Sequence, residues 1–276
     1  MTLLPVPEPY DFERSTARYR AFGLDRANVW HGGALYRVVG AREMRIAAAP
    51  GGVEVEPLDA ETEQVVRRLL GLAFDLESFY AFAAGEPTLA RLTERLRGLR
   101  PPLAPDPFES LVTSITAQQV SLRSAFAVRG RLIERYGEAR GAHAVAFPSR
   151  ATLAAASEED LFGLGFSRRK ALYVLTLARS ELDLHDLAEL PDDEVKARLV
   201  ALPGIGEWTA DWFLARYLAR PTAWPAGDLA VRKAVSRFYG GGRDLSIEEV
   251  RALGARFDPF QNLTAHYLLA GLLEDA

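Results

Sequence analysis

Nine residues, Leu202-Pro203-Gly204-Ile205-Gly206-Glu207-Trp208-Thr209-Ala210, and a carboxylate eighteen positions beyond them, Asp228, are the part of this chain best suited to chemistry. Pro203 stops a helix expected upstream, where Val195, Leu199, Val200 and Leu202 recur at helical spacing. Gly204 and Gly206 then permit a tight turn with positive φ and close approach of a ligand to the backbone. A second helix starting near Glu207 leaves unpaired N–H groups at its N-terminus. With the helix dipole, these favour an anion such as a phosphate. Glu207 suits the dipole but would repel that anion, so it is expected to point sideways.

Asp228 follows the turn Trp224-Pro225-Ala226-Gly227 and precedes the helical pattern Leu229-Ala230-Val231-Arg232-Lys233-Ala234-Val235. It reads as a helix N-cap. It also reads as a fixed negative charge, and the two roles are compatible. Breaking an N-glycosidic bond builds oxocarbenium character on the sugar. A carboxylate about 4 Å from that charge is worth about 4 kcal/mol at an effective dielectric near 20. That is roughly a thousandfold in rate.

These groups need a frame. With 276 residues, 49% hydrophobic and 25% charged, the chain can bury two sizeable cores. The expected fold class is α+β: a small antiparallel β-rich N-terminal domain over residues 1–99, then an all-helical region over 100–276. Strands are expected at Ser15 to Phe22, Ala34 to Val39, Met44 to Ala49 and Val53 to Val55, with Gly32-Gly33, Gly40 and Pro50-Gly51-Gly52 as turns. Helical spacing takes over from Asp59, and Pro87 to Leu96 is a helix opened by proline. Arg100-Pro101-Pro102-Leu103-Ala104-Pro105 is expected to be a stiff, extended linker. Beyond it, helix starts are expected at Asp106, Ser121, Ser157, Ser167, Asp192 and Ser246.

Composition narrows the chemistry. With no cysteine, thiolate catalysis, zinc-thiolate sites and iron–sulfur clusters are out. A net charge of −4 argues against a protein that coats nucleic acid indiscriminately, though a local basic face remains possible from Arg123, Arg129, Arg131 and Arg135 or from Arg168, Arg169 and Lys170. No segment has the apolar length of a membrane span, and the N-terminus lacks a secretory pattern, so no membrane partner and a cytoplasmic location are expected.

The segment from about Asp106 onward resembles the helix-hairpin-helix DNA glycosylases, and the whole chain is similar to their AlkA-type 3-methyladenine DNA glycosylase II branch. The matching features are Leu202 to Ala210, the spacing from Trp208 to Asp228, Ile115-Thr116-Ala117-Gln118-Gln119-Val120-Ser121, and Gly163-Leu164-Gly165-Phe166-Ser167 with Lys170-Ala171. The resemblance implies a helix-hairpin-helix bundle of two helical subdomains with a DNA cleft between them. It implies a monomeric, monofunctional glycosylase that flips alkylated bases out of damaged double-stranded DNA and hydrolyses their bond to deoxyribose.

Roles follow residue by residue. Asp228 matches the essential aspartate. Gly204, Gly206 and Thr209 would present backbone N–H groups to a phosphate, and Gln119, or its neighbour Gln118, would fill the gap left by the flipped base. Trp208 and Trp212 would line the base pocket, and an electron-poor, often cationic base would stack on them. Trp208 stands where relatives with lyase activity carry a nucleophilic lysine, so no Schiff base is expected. No organic cofactor is implied, only a structural monovalent cation on the carbonyls of Val200, Leu202 and Ile205. The family's pocket-closing tryptophan of the last helix is replaced, with Tyr267 or Leu269 available instead, which leaves the range of excised bases open. The alternatives are a glycosylase for deaminated or mismatched bases and a non-catalytic DNA-binding hairpin protein.

Overall fold

The computed structural model of the chain describes residues 2–275 and has an α+β architecture. Five strands, β1 (Thr2–Pro5), β2 (Val29–His31), β3 (Ala34–Val39), β4 (Arg42–Ala49) and β5 (Gly52–Glu56), form one antiparallel sheet in the order β1-β5-β4-β3-β2. Period-two alternation sends Leu35, Met44, Ile46, Val53 and Val55 to one face, where they pack with Val66, Leu69 and Leu70. Those last three belong to α3 (Ala60–Leu69) and its C-cap, and the helix is opened by a capping box on Asp59.

The expected strand from Ser15 to Phe22 is instead helical: α1 (Phe12–Thr16) and α2 (Arg18–Ala21). Asp11 decides this by accepting the Arg14 N–H as an N-cap, after which Phe12, Ser15 and Thr16 fall on the buried side. β1 and β2, at the two edges of the sheet, are strands that the turn pattern did not announce.

Helices α4 (Leu76–Ala83) and α5 (Pro87–Arg95) sit before the expected boundary at residue 100, yet they share the second hydrophobic core, which runs from Phe74 to Leu268. The 100–105 segment is extended but fixed. Arg100 N–H donates to Ser15 Oγ, Leu103 N–H to the Arg68 carbonyl and Ala104 N–H to the Arg216 carbonyl. It acts as a packed strap, because Arg100 and Leu103 are buried.

The remaining helices are α6 (Pro107–Ala117), α7 (Leu122–Tyr136), α8 (Arg150–Ala154), α9 (Glu158–Gly163), α10 (Arg168–Arg179), α11 (Asp192–Val200), α12 (Glu207–Arg216), α13 (Leu229–Tyr239), α14 (Ile247–Gly254) and α15 (Gln261–Glu274). Asp106, Ser121, Ser157, Ser167 and Ser246 cap as expected, whereas Pro191 takes the N-cap of α11 and Asp192 is its first residue.

A buried polar network joins sheet to helices. Arg37, on the same face of β3 as Leu35, reaches Glu109 of α6 and Asn28, while Arg129 of α7 pairs with Glu109 and Asp25. Burial opposes ionisation of Glu109, but the guanidiniums of Arg37 and Arg129 hold its carboxyl below the usual range. Arg129 is therefore structural and contributes nothing to a basic surface.

Candidate active site

Chain direction reverses between α11 and α12. Gly204 sits at φ 84, and a Cβ there would lie 2.0 Å from the Tyr173 ring, so both backbone and packing require glycine. Gly206 differs: at φ −103 it is the N-cap of α12, and no atom lies within 4 Å of where its Cβ would be. Only one of the two glycines serves the turn. The other keeps open space at the helix N-terminus, where an anion can come close.

The N–H groups of Gly206, Glu207 and Trp208 make no backbone hydrogen bond within the described residues. Thr209 corrects the expectation. It is buried, its N–H donates to the Gly206 carbonyl, and its Oγ1 lies 3.3 Å from Gln118 Nε2. Its backbone N–H is therefore not free for a phosphate. Glu207 turns sideways, with its carboxylate 3.1 Å from Arg251 of α14.

The two glutamines after α6 have separated. Gln118 Nε2 donates to the Gly204 carbonyl at 2.8 Å, tying the end of α6 to the hairpin. Gln119 is exposed with φ 55, an uncommon left-handed conformation for a non-glycine residue. Its neighbours Val120 and Leu122 are exposed apolar residues. In the Gly163–Ala171 segment, Lys170 Nζ donates to the Thr116 carbonyl at 2.9 Å, so this motif braces α10 against α6.

Of the three carbonyls expected to hold a cation, those of Val200 and Ile205 make no backbone hydrogen bond within the described residues, while that of Leu202 accepts the Ile205 N–H. Two donors fit directly, and the third keeps one lone pair for the role.

Asp228 is the most heavily coordinated carboxylate here. Its Oδ1 accepts the N–H groups of Ala230 (2.8 Å) and Val231 (3.0 Å), capping α13. Its Oδ2 accepts the indole Nε1–H groups of Trp208 (2.7 Å) and Trp212 (3.0 Å). The loop that delivers it is pinned too, because Trp224 Nε1 donates to the Val250 carbonyl and the Asp228 N–H to that of Pro225. Since Trp208 and Trp212 stand in α12, the carboxylate is held beside the helix that the hairpin starts.

The indoles thus orient the carboxylate, a role that sequence spacing did not reveal. Trp212 is also buried and not a free stacking surface: the Arg216 guanidinium lies 3.6 Å from its ring centroid, and His266 meets it at 5.7 Å edge-on. Trp208 remains half-buried.

The last helix brings a further correction. Tyr267 is wholly buried, with its hydroxyl bonded to Tyr80 and to the Leu99 carbonyl, and its ring contacts are Phe79 and Tyr80. His266 instead meets Trp212. Its Nδ1 faces the Asn262 carbonyl at 2.9 Å, which only accepts, so the ring carries its proton on Nδ1 and leaves Nε2 a lone-pair acceptor. Burial first, then the charges of Arg216 and Arg18, push its pKa down to about 3. The imidazole is neutral at physiological pH. The recurrence Trp208, Trp212, Arg216 at steps of four would have shown that Arg216 shares the tryptophan face.

Residues 112–257, more than half of the chain, match the HhH-GPD superfamily of base excision DNA repair proteins. The chain is 30% identical to DNA-3-methyladenine glycosylase 2 of Escherichia coli (strain K12) over 75% of its own length and 71% of that protein's. It is 26% identical to the DNA-3-methyladenine glycosylase of Bacillus subtilis (strain 168), again over 75% of this chain and 71% of that one. Its fold superposes on the 3-methyladenine DNA-glycosylase from Archaeoglobus fulgidus with a TM-score of 0.88 at 28% identity, covering 98% of this chain and 97% of the other.

Proposed function

The chain belongs to the HhH-GPD superfamily of base excision DNA repair proteins, and from that premise we propose that it is a monofunctional DNA glycosylase for alkylated bases of the 3-methyladenine type. Its reaction is hydrolysis of the N-glycosidic bond in damaged double-stranded DNA, leaving an abasic site. The observation that carries this reading is the Asp228 carboxylate, fixed by four N–H donors beside the N-terminus of the post-hairpin helix. The A. fulgidus, E. coli and B. subtilis relatives, all named 3-methyladenine glycosylases, support the choice of alkylated bases.

The work divides among few groups. A DNA phosphate sits against the free N–H groups of Gly206, Glu207 and Trp208 at the positive end of the α12 dipole. The target nucleotide leaves the duplex, because its glycosidic bond is out of reach inside the stack. Gln119, exposed and held clear of the hairpin by its left-handed backbone, enters the vacated space.

Asp228 then faces the sugar. As the bond to the base lengthens, positive charge grows on C1′ and O4′, and the carboxylate stabilises it without having to reorganise. Because each oxygen is already held by two N–H groups, the carboxylate does not turn to follow the sugar. Trp208 stands where an amine nucleophile would be needed, so the abasic product is not processed further by Schiff-base chemistry. The protein acts as a monomer in the cytoplasm, and no helix among the described residues is long and apolar enough to cross a membrane.

The test is release of free methylated purines from alkylated duplex DNA, comparing wild type with Asp228→Asn. Binding to a duplex with an abasic-site analogue serves as the folding control. The variant should bind and release roughly a thousandfold more slowly. A variant that binds and releases at the wild-type rate would remove Asp228 from the mechanism.

A further inference from the structure

Three segments meet at the end of α6, immediately before the exposed Gln119. Gln118, the C-cap of α6, donates through Nε2 to the Gly204 carbonyl at 2.8 Å, with Thr209 Oγ1 3.3 Å away. A main-chain carbonyl only accepts, so this contact fixes which end of the amide faces the hairpin. The same peptide unit is held at its other end, because the Ile205 N–H donates to the Leu202 carbonyl. Helix α10 supplies the third side. Lys170 Nζ donates to the Thr116 carbonyl at 2.9 Å, and Tyr173, one turn along the same helix, sets its ring against Gly204. The end of α6 is thereby joined to the hairpin twice, directly through Gln118 and indirectly through α10.

Gln119 follows at φ 55, an unfavourable backbone for a residue with a Cβ. Such a conformation persists where its neighbours over-determine it. Before it stands Gln118, fixed by its side chain, and two residues after it Ser121 caps α7 by accepting the Ser124 N–H. The two glutamines thus face different surroundings from one short loop: one reaches the hairpin, the other solvent. A group that enters a base stack works against pairing and stacking, so its own backbone must not recoil. On the hairpin side, the Gln118 amide is what ties this loop down.

We infer that Gln118 is a positioning residue whose amide makes insertion of Gln119 depend on the hairpin that grips the DNA phosphate. This rests on the glycosylase reading above and on the place it gives Gln119. The phosphate meets the N–H groups of Gly206, Glu207 and Trp208, which follow directly on the Gly204–Ile205 peptide held by Gln118. A strand seated on the hairpin therefore stands at a set distance from the Gln119 backbone. The side chain then enters the stack beside the gripped phosphate and nowhere else. Without the amide contact the loop relaxes toward an ordinary backbone and the wedge is displaced. The four donors on Asp228 come from other residues, so the carboxylate keeps its place. Gln118 thus acts through Gln119, and only where a paired base has to be expelled.

The experiment uses the full chain with four changes. Gln118→Met keeps length and removes the donor, and Gln118→Glu keeps shape and sets an acceptor against the Gly204 carbonyl. Gln119→Ala removes the wedge, and the double variant combines Gln118→Met with Gln119→Ala. The probe is a duplex with a single 7-methylguanine that faces either cytosine or an abasic-site analogue; against the analogue there is no base pair to break. Single-turnover release is read, with affinity for undamaged duplex and thermal melting as controls of hairpin and fold. Each Gln118 variant should slow release from the cytosine duplex about 3- to 10-fold, the loss of one hydrogen bond. Release opposite the analogue and affinity for undamaged duplex should change by less than about twofold. Adding Gln118→Met to Gln119→Ala should also cost less than about twofold, because residues that act through one another are not additive. Equal slowing on both duplexes, or an additive double variant, would make Gln118 a brace of the fold and overturn the inference. So would wild-type release from the cytosine duplex by both Gln118 variants or by Gln119→Ala. A wild type that frees the methylated base from neither duplex would overturn the glycosylase reading itself.

Discussion

Trp208 Nε1 lies 2.7 Å from Asp228 Oδ2, joining the first turn of the post-hairpin helix to the N-cap of α13. This contact makes the hairpin and the carboxylate one rigid unit. Replacing Trp208 by Phe keeps an aromatic body and deletes one of the two donors on that oxygen. The expected result is a loss of about 1.5–3 kcal/mol of stability, the usual worth of a hydrogen bond to a charged group. Base release should slow while duplex affinity changes little. Thermal denaturation, single-turnover kinetics and a binding titration check the three parts; unchanged melting would mean the indole does not hold the carboxylate.

Asp228→Asn tests the donor count from the other side. All four groups facing the carboxylate are N–H donors, two on each oxygen. Whichever way the amide turns, its NH2 meets two donors, so the variant should lose about 1–3 kcal/mol of stability in addition to catalysis. Asp228→Ser keeps the cap to α13 without placing a donor against the indoles. It should therefore melt above Asp228→Asn, and the reverse order would contradict this account.

The hairpin glycines should fail in different ways. Gly204→Ala pushes a Cβ into Tyr173 at a positive φ, so the variant should lose folded yield. Gly206→Ala meets nothing and sits at an ordinary φ, so its melting temperature should stay close to wild type. Its methyl group, however, stands where a phosphate must approach. Duplex affinity should fall about tenfold, equivalent to one lost hydrogen bond to a charged group. Fluorescence anisotropy with undamaged duplex separates the two effects.

What the sequence disclosed follows from how locally each signal is encoded. Pro203, Gly204 and Gly206 punctuate two periodic runs, and Asp228 precedes a third, so hairpin and carboxylate were legible. Capping serines and aspartates placed the starts of α6, α7, α9, α10 and α14 correctly for the same reason. Asp11 carried the same kind of signal for α1 but was outweighed by apparent alternation from Ser15. The indole bonds to Asp228 and the placing of His266 beside Trp212 depend on contacts between distant segments. No spacing rule encodes those contacts. Thr209 looked like a phosphate donor by position, yet the first turn of α12 already uses its N–H.

Glu109 ties the sheet to the helices through Arg37 and Arg129. Glu109→Gln would leave two buried guanidiniums short of charge, and breaking a buried pair from one side costs about 3–5 kcal/mol. The variant should melt well below wild type, and base release measured below its transition should be close to normal, because no atom of the network contacts Asp228. If activity falls in parallel with stability at temperatures where the variant is fully folded, the network has a second role at the site.

His266 gives the protein an acid-sensitive element with a calculable sign. Its folded pKa is depressed to about 3 from an ordinary 6.5 by burial, reinforced by Arg216 and Arg18 and opposed by its bond to the Asn262 carbonyl. A depressed histidine is neutral in the fold and protonated in the unfolded chain below about 6.5. The unfolded state then binds more protons, so this contribution is fully present above pH 6.5 and is lost as pH falls toward 3. The slope approaches about 1.4 kcal/mol per pH unit. The lowered carboxylates Asp59 and Glu249, both about 2, act at lower pH, below their ordinary range near 4. Between pH 6 and 4.5 the raised Asp106 and Asp211 and the lowered Glu109 are common to wild type and a His266 variant, so the imidazole is read as the difference between the two proteins. His266→Phe keeps the edge contact with Trp212 and removes the titrating group. Its stability should be lower at pH 7, because the Asn262 carbonyl loses its donor, and should fall less steeply than that of wild type across that window. Urea denaturation at pH 7, 6, 5 and 4.5 for both proteins measures the difference, and parallel slopes would show that His266 does not titrate between fold and unfolded chain.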